Sequence, residues 1–172
     1  MVYSFFSNNK KITGSFVSNQ PVVIKGLGDV VFGSNVNFGV VDSPFFLNSY
    51  AYLEARTKHS VLSFGNNIHI NNGFSVISEK KIVINDNVLI GVNCQIMDSV
   101  FHNLDAEKRL ETDPKPEEVV IGENVFIGNN VTILKGVNIG ENSVVANGAI
   151  VTKSFPKNVV IAGVPAKIIR DL

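Results

Sequence analysis

Aliphatic side chains recur at every sixth position through the C-terminal half of the chain. From Ile121 the sequence runs IGENVF, IGNNVT, ILKGVN, IGENSV, VANGAI, so the first places hold Ile121, Ile127, Ile133, Ile139, Val145 and then Val151. The fifth places hold Val125, Val131, Val137, Ser143 and Ala149. The same phase runs through INDNVL, IGVNCQ and IMDSVF from Ile84, Ile90 and Ile96, and less purely through FGNNIH and INNGFS from Phe64 and Ile70. FGSNVN from Phe32 and FGVVDS from Phe38 are its first visible units. A fifth residue and the next unit's first residue lie two apart on an extended chain. Their side chains therefore share one face, and the residue between them points the other way. Each unit reads as one short strand and one corner, and three units, about 18 residues, make a triangular coil. Stacked coils pair as parallel strands about 4.8 Å apart and bury their aliphatic pairs against one another, as solenoids do.

The interruptions are informative too. Between Phe101 and Glu118 the period stops, and HNLDAEKRLETDPKPEE is polar, charged and carries Pro114 and Pro116. Proline cannot enter a central ladder, so this stretch (102–118) is expected to protrude as a loop. A two-residue slip separates the units at Val76 and Ile84, around Lys80–Ile82. Residues 42–62 also lose phase, and SPFFLNSYAYLEARTK is compatible with a bend or a short helix. The opening 1–24 shows no clear repeat and reads as an arm, either loose or packed as a strand on the end of the stack. The tail from 152 to 172, with Pro156 and Pro165, reads as a segment capping the open end, with Ile161, Val164, Ile168 and Ile169 as its apolar positions.

Composition supports the solenoid. The chain of 172 residues has 26 Val and 17 Ile against 9 Leu, a bias towards strands. Its 21 Asn and 14 Gly supply residues that tolerate left-handed corners. Fifteen basic and fifteen acidic side chains balance, which removes the basic face a nucleic-acid binder needs. No apolar run is long enough for a transmembrane helix, so no stable membrane insertion is expected. MVYSFFSNNKK lacks a basic stretch followed by an apolar one, so no secretory leader is expected and a cytoplasmic location is the default. One cysteine excludes an internal disulfide and a thiolate zinc site. Cys94 falls on an inward fifth place, where a small core residue is expected rather than a nucleophile.

Three segments resemble a known family: DSVFHNLDAEKR at 98–109, FIGNNVTILKGVNIG at 126–140 and NVVIAGVPAKIIR at 158–170. The chain is similar to the hexapeptide-repeat acyltransferases. Its nearest resemblance is to bacterial O-antigen and capsule sugar O-acetyltransferases and to the galactoside, maltose and xenobiotic branch. The resemblance spans roughly residues 25–172. It implies a left-handed parallel β-helix, an all-β fold whose hand the periodicity alone does not give. It also implies a homotrimer with active sites between neighbouring solenoids, acetyl-CoA as co-substrate, no metal, and a sugar or polysaccharide acceptor.

His102 is the leading catalytic candidate. Counting from Ile84, Ile90 and Ile96, it takes the first place of a unit, where an aliphatic residue is expected. Transfer of an acyl group from a thioester to a hydroxyl needs a base near neutral pH, and DSVFH matches the family's catalytic histidine segment. Asn71 aligns with a family amide that positions the acceptor; as a corner residue it equally fits a turn. Asp98 reads as an imidazole or acceptor contact, or as an ordinary corner. His69, on the outward place between Ile68 and Ile70, reads either as an acceptor contact or as a surface residue, and Glu79 as an acidic acceptor contact or a solvated charge. Asn129 and Asn147 lie one coil apart and should stack, as should Lys135 and Lys153. The resemblance places Asn129, Asn147, Thr152 and Lys153 along the pantetheine and adenine of acetyl-CoA, and Lys167 and Arg170 near its phosphates. His59, His69 and His102 lack the paired spacing of a zinc site. Two further readings stand beside O-acetyl transfer: N-acetylation of a nucleotide-linked amino sugar, and a non-catalytic β-solenoid scaffold.

Overall fold

The computed structural model describes residue 3 and residues 5–172. The chain climbs a three-sided prism. The first coil holds β1 (Ile12–Thr13), β2 (Phe16–Ser18) and β3 (Val22–Gly26), and the second β4 (Asp29–Phe32), β5 (Val36–Phe38) and β6 (Ala51–Ala55). The third holds β7 (Val61–Phe64), β8 (Ile68–Ile70) and β9 (Ser75–Ser78), and the fourth β10 (Lys81–Ile84), β11 (Leu89–Ile90) and β12 (Gln95–Met97). The fifth holds β13 (Val119–Ile121), β14 (Phe126–Ile127) and β15 (Thr132–Ile133), and the sixth β16 (Asn138–Ile139), β17 (Val144–Val145) and β18 (Ile150–Val151). Each coil gives one strand to each of three sheets, and every pairing among these eighteen strands is parallel. The first sheet runs from β1 to β16, the second from β2 through β17, and the third from β3 to β18.

The register follows the six-residue phase. Phe64, Ile84, Ile121 and Ile139 stack in one column, Ile70, Ile90, Ile127 and Val145 in the next, and Val76, Ile96, Ile133 and Val151 in the third. All are buried, as are the fifth-place Val125, Val131, Val137, Ser143 and Ala149. Cys94 is a buried wall residue whose Sγ donates to the Gly128 carbonyl at 3.0 Å. At the N-terminal end the columns widen into rings: Phe16 lies 4.8 Å from Phe32, which stacks on Phe64 at 5.1 Å.

Asparagine makes the corners. Asn35, Asn67, Asn87, Asn124 and Asn142 adopt positive φ, which asparagine tolerates better than most side chains. Their amides then bond from coil to coil: Asn35 to Asn67 at 3.1 Å, Asn67 to Asn87 at 3.2 Å and Asn124 to Asn142 at 3.0 Å.

The irregular segments take one of the forms expected for each. Residues 12–18 form two strands on the end of the stack. Residues 39–50 make an irregular excursion, and no helix follows: Ala51–Ala55 re-enters the third sheet with Ala51, Leu53 and Ala55 inward. The tail folds back as β19 (Val159–Gly163), parallel to β17, and β20 (Ala166–Asp171), antiparallel to β19. Phe155, Val159, Ile161 and Ala166 are buried there, whereas Val164, Ile168 and Ile169 stay largely exposed. Among the described residues no helix is long and apolar enough to cross a membrane.

Candidate functional site

The excursion after β12 is built on a buried polar base. Asp98 is fully buried and accepts four hydrogen bonds: Oδ2 from Ser78 Oγ at 2.6 Å, Lys80 N at 2.9 Å and Lys81 N at 2.7 Å, and Oδ1 from Glu79 N at 2.7 Å. Those donors are the corner that carries the two-residue slip, so the carboxylate satisfies backbone groups that the ladder cannot reach. Glu79 ties down the excursion itself. It accepts from Ser99 Oγ at 2.5 Å and Thr112 Oγ1 at 2.7 Å and lies 3.7 Å from Arg56. Asp113 returns the chain to the prism, accepting from Val100 N at 3.1 Å and Lys135 Nζ at 2.6 Å. Burial opposes ionisation of Asp113, but the Lys135 ammonium and the N–H groups of Val100 and Lys115 outweigh it and hold the carboxyl at about 2.

His102 stands on this base. It is exposed, and it does not occupy an inward place: the chain leaves the prism at Asp98, and the first sheet resumes with Val119–Ile121. Its Nδ1 lies 2.8 Å from the Arg109 carbonyl oxygen across the neck of the excursion, where Asn103 N also donates to the Glu111 carbonyl at 2.9 Å. A carbonyl can only accept, so the proton of the neutral ring sits on Nδ1. The lone pair is therefore on Nε2, the arrangement a general base needs. The tip beyond carries one 3-10 turn, Ala106–Lys108, with Leu104 and Leu110 largely exposed.

The remaining candidates fall on separate parts of the prism. Asn71 and Asn129 lie on the edge between the second and third sheets. With the outward His69 they line a shallow groove of about 260 Å³, walled by Leu89 and Phe126. Asn147 follows one coil above: its Oδ1 accepts from Asn129 N at 2.7 Å, and Asn129 Oδ1 accepts from Val92 N at 2.9 Å. Gly128 leaves room for that step, since a Cβ there would collide with Asn147 Oδ1. The stack therefore uses its oxygens within the chain, and its exposed amides face outward. Asn71 Oδ1 accepts from Asn72 N at 2.7 Å, while buried Asn72 holds the 39–50 excursion through the carbonyls of Val40 and Pro44.

Thr152 and Lys153, both exposed, lie on the edge between the third and first sheets, the same edge as His102. Lys135 and Lys153 share that edge as expected, yet Lys135 is committed to Asp113 while Lys153 lies 5.8 Å from the Phe155 ring centroid. Lys167 and Arg170 project from exposed β20, beside the second sheet. One chain thus groups His69, Asn71, Asn129 and Asn147 at one edge and His102, Thr152 and Lys153 at another. Of the two readings left open for each of Asp98 and Glu79, the structure shows neither an ordinary corner nor a solvated charge: the oxygens of both are taken up by the chain itself, as anchors of the excursion. Arg56 and Asp113, which complete the base, carry no periodic signal; only the Pro-flanked acid in TDPKP hinted at the second. Among the described residues no cluster of His, Cys, Asp and Glu could hold a metal ion.

Comparison with known proteins agrees with this architecture. Residues 118–153 match the family model described as the hexapeptide repeat of succinyl-transferase. A candidate lipopolysaccharide-biosynthesis O-acetyltransferase of Escherichia coli K12 is 32% identical over 161 residues, covering 87% of this chain and 76% of that protein. The galactoside O-acetyltransferase of the same organism is 40% identical over 116 residues, covering 64% of this chain and 57% of the enzyme. Among solved structures, a hexapeptide-repeat acetyltransferase of Vibrio cholerae complexed with acetyl-CoA superposes with a TM-score of 0.57 at 30% identity, covering 82% of this chain and 64% of that one. The chain thus spans little more than half the length of the galactoside enzyme. The three-sheet prism is the left-handed parallel β-helix of these proteins, and the chain belongs to the hexapeptide-repeat acetyltransferase family.

Proposed function

We propose that the protein transfers an acetyl group from acetyl-CoA to a sugar hydroxyl of a bacterial surface polysaccharide or its precursor, with His102 as the general base. The observation that carries this reading is the Nδ1 contact to the Arg109 carbonyl, which leaves Nε2 as the free acceptor on an exposed ring. Support comes from relatives named as galactoside and lipopolysaccharide O-acetyltransferases and from a neighbour complexed with acetyl-CoA. In the step proposed, Nε2 takes the hydroxyl proton as that oxygen attacks the thioester carbonyl carbon. The tetrahedral intermediate collapses, the C–S bond breaks, and the imidazolium returns the proton to the departing thiolate. Asn71 orients the acceptor. Asn129 and Asn147 flank the pantetheine, Thr152 and Lys153 lie towards the adenine, and Lys167 and Arg170 approach the phosphates.

The separation of these residues argues for a site shared between copies of the chain, and the family resemblance makes that assembly a homotrimer. His102 and Asn71 lie on different edges of one prism, a sheet's width apart. A base and a positioning amide so placed meet only if one chain's edge faces another chain's. The active site would then lie between subunits, with His102 from one and the Asn71–Asn129 groove from its neighbour.

Two measurements test the reading. Acetyl-CoA at a hundred times its Kd should stabilise the fold by about 2.7 kcal/mol, a rise of roughly 5–10 °C in Tm, whereas AMP should give little. In a thiol-release assay with sugar acceptors, His102→Ala should lose on the order of 10²–10⁴-fold in turnover. The product should be an alkali-labile ester. Full activity in His102→Ala, or an alkali-stable amide product, would overturn the assignment.

A further inference from the structure

The outer face of the third sheet carries a recess that shares no residue with the Asn71 groove. Tyr3, Phe6, Tyr50 and Tyr52 line it, with Val23 at its floor and Lys25 on its rim, around about 320 Å³. That is the small end of the ~300–1,000 Å³ range of ligand sites. The rings are arranged rather than scattered: Tyr3 lies 6.4 Å from Tyr50 and 6.0 Å from Phe6. Tyr52 is fixed by donating its hydroxyl to Glu54 Oε2 at 3.0 Å, and Arg56 grips the same carboxylate at 3.1 Å. Burial and that carboxylate push the Tyr52 phenol up to about 12, so the ring stays neutral at any working pH. Among the described residues Lys25 has no ion pair, although it sits opposite Glu54 in the ladder; that acid is committed to Arg56.

A line of side chains leads from the recess to the His102 loop. Tyr52, Glu54 and Arg56 alternate outward along and just beyond β6, and four extended residues carry the line about 13 Å. At its end the Arg56 guanidinium lies 4.5 Å from the centroid of the Phe101 ring, next in the chain to His102. Aromatic faces with a polar rim bind the apolar C–H face of a pyranose, and an unpaired ammonium beside them complements a carboxylate.

From this we infer that the recess is a subsite for a carboxylated sugar residue of an extended acceptor glycan, whose chain runs along β6 to present a hydroxyl at His102. The orientation towards His102 rests on the acetyl-transfer reading; binding at the recess does not. The acceptor class becomes an acidic oligosaccharide of several residues rather than a nucleotide-linked monosaccharide.

The test is calorimetric titration of the full chain, without acetyl-CoA, using uronic-acid and sialic-acid oligosaccharides of two to six residues and their carboxyl-reduced counterparts. Affinity should rise with length in at least one acidic series and fall about tenfold or more on carboxyl reduction. Tyr50→Ala and Lys25→Gln should each raise Kd about tenfold, with Tm near that of wild type because Tyr50 is exposed and the half-buried Lys25 makes no ion pair among the described residues. His102→Ala should bind as wild type does. Binding in His102→Ala without any transfer by wild type would remove the acetyl-transfer reading and leave the subsite standing. Absence of binding to every acidic series, or binding unchanged by Tyr50→Ala and Lys25→Gln together, would overturn the subsite.

Discussion

Replacing Asp98 separates an anchor from a ligand contact. In Asp98→Ala four donors lose their acceptor at once: Ser78 Oγ and the backbone N–H groups of Glu79, Lys80 and Lys81. A buried donor left unpaired costs about 1–3 kcal/mol. Ser78 is fully buried, whereas Lys80 and Lys81 lie at a surface corner where water can replace part of what is lost. The total is roughly 4 kcal/mol, and at about 2–4 °C per kcal/mol for a chain of this size Tm should fall by roughly 8–16 °C. Asp98→Asn should cost almost as much. Oδ2 alone serves three donors, so either orientation of the amide turns an NH₂ group towards another N–H or hydroxyl. The assay is thermal unfolding of wild type, Asp98→Ala and Asp98→Asn at matched protein concentration, since assembly would make Tm concentration-dependent. Both variants within about 2 °C of wild type, with acceptor use lost, would refute the anchor and restore Asp98 to acceptor binding.

Other expectations follow from the same base. The Asp113 carboxyl is held from 3.8 down to about 2, so it favours the folded state above its unfolded value, and that contribution is lost as pH falls through 2. It amounts to about 2 kcal/mol at neutral pH; Asp113→Asn should lower stability at pH 7 and flatten its acid dependence between pH 4 and 2, measured by urea unfolding. Ile127→Asp would bury an unpaired charge among columns with no exposed surface and should yield no soluble folded protein; a native circular dichroism spectrum would contradict the register. Replacing the exposed tip 104–110 by a short glycine link should leave Tm within a few degrees, because the anchors at 98, 99, 112 and 113 remain. It also removes the Arg109 carbonyl that fixes the His102 tautomer, so turnover should drop while acetyl-CoA still protects against unfolding.

The prism was readable because its determinants are local and repeated. Fifth-place and first-place residues turn inward wherever the chain stays in the wall, and most asparagines at left-handed corners form a ladder with the identical residue one coil away. The same reasoning misplaced His102. Counting in sixes from Ile96 is sound only while the chain stays in the wall, and the chain leaves it at Asp98, four residues before the histidine. It also left Asp98 and Glu79 between a ligand contact and an ordinary surface role, and did not find their part as anchors. Their partners lie about one coil away or farther, at Ser78, Ser99 and Thr112, and the path of the excursion brings them together. Ala51–Ala55 escaped notice because two of its three inward residues are alanines, too small to register as a hydrophobic column.

The excursion and the repeat also divide the chemistry between them. A solenoid edge can offer only what one corner per coil supplies, and here the edge between the second and third sheets supplies stacked amides whose oxygens are spent on the neighbouring coil. Such an edge can line an extended ligand, and the one imidazole beside its amides, His69, comes from the outward face of the second sheet and not from a corner. His102 stands on the next edge, raised on an excursion whose buried acids hold it to the prism. Because a three-sided coil cannot fold one of its edges onto another, the proposed pairing of His102 with the Asn71 groove requires two copies of the chain. Mixing His102→Ala chains with Asn71→Ala chains should therefore restore a fraction of activity that neither has alone, through shared sites whose two halves are both intact.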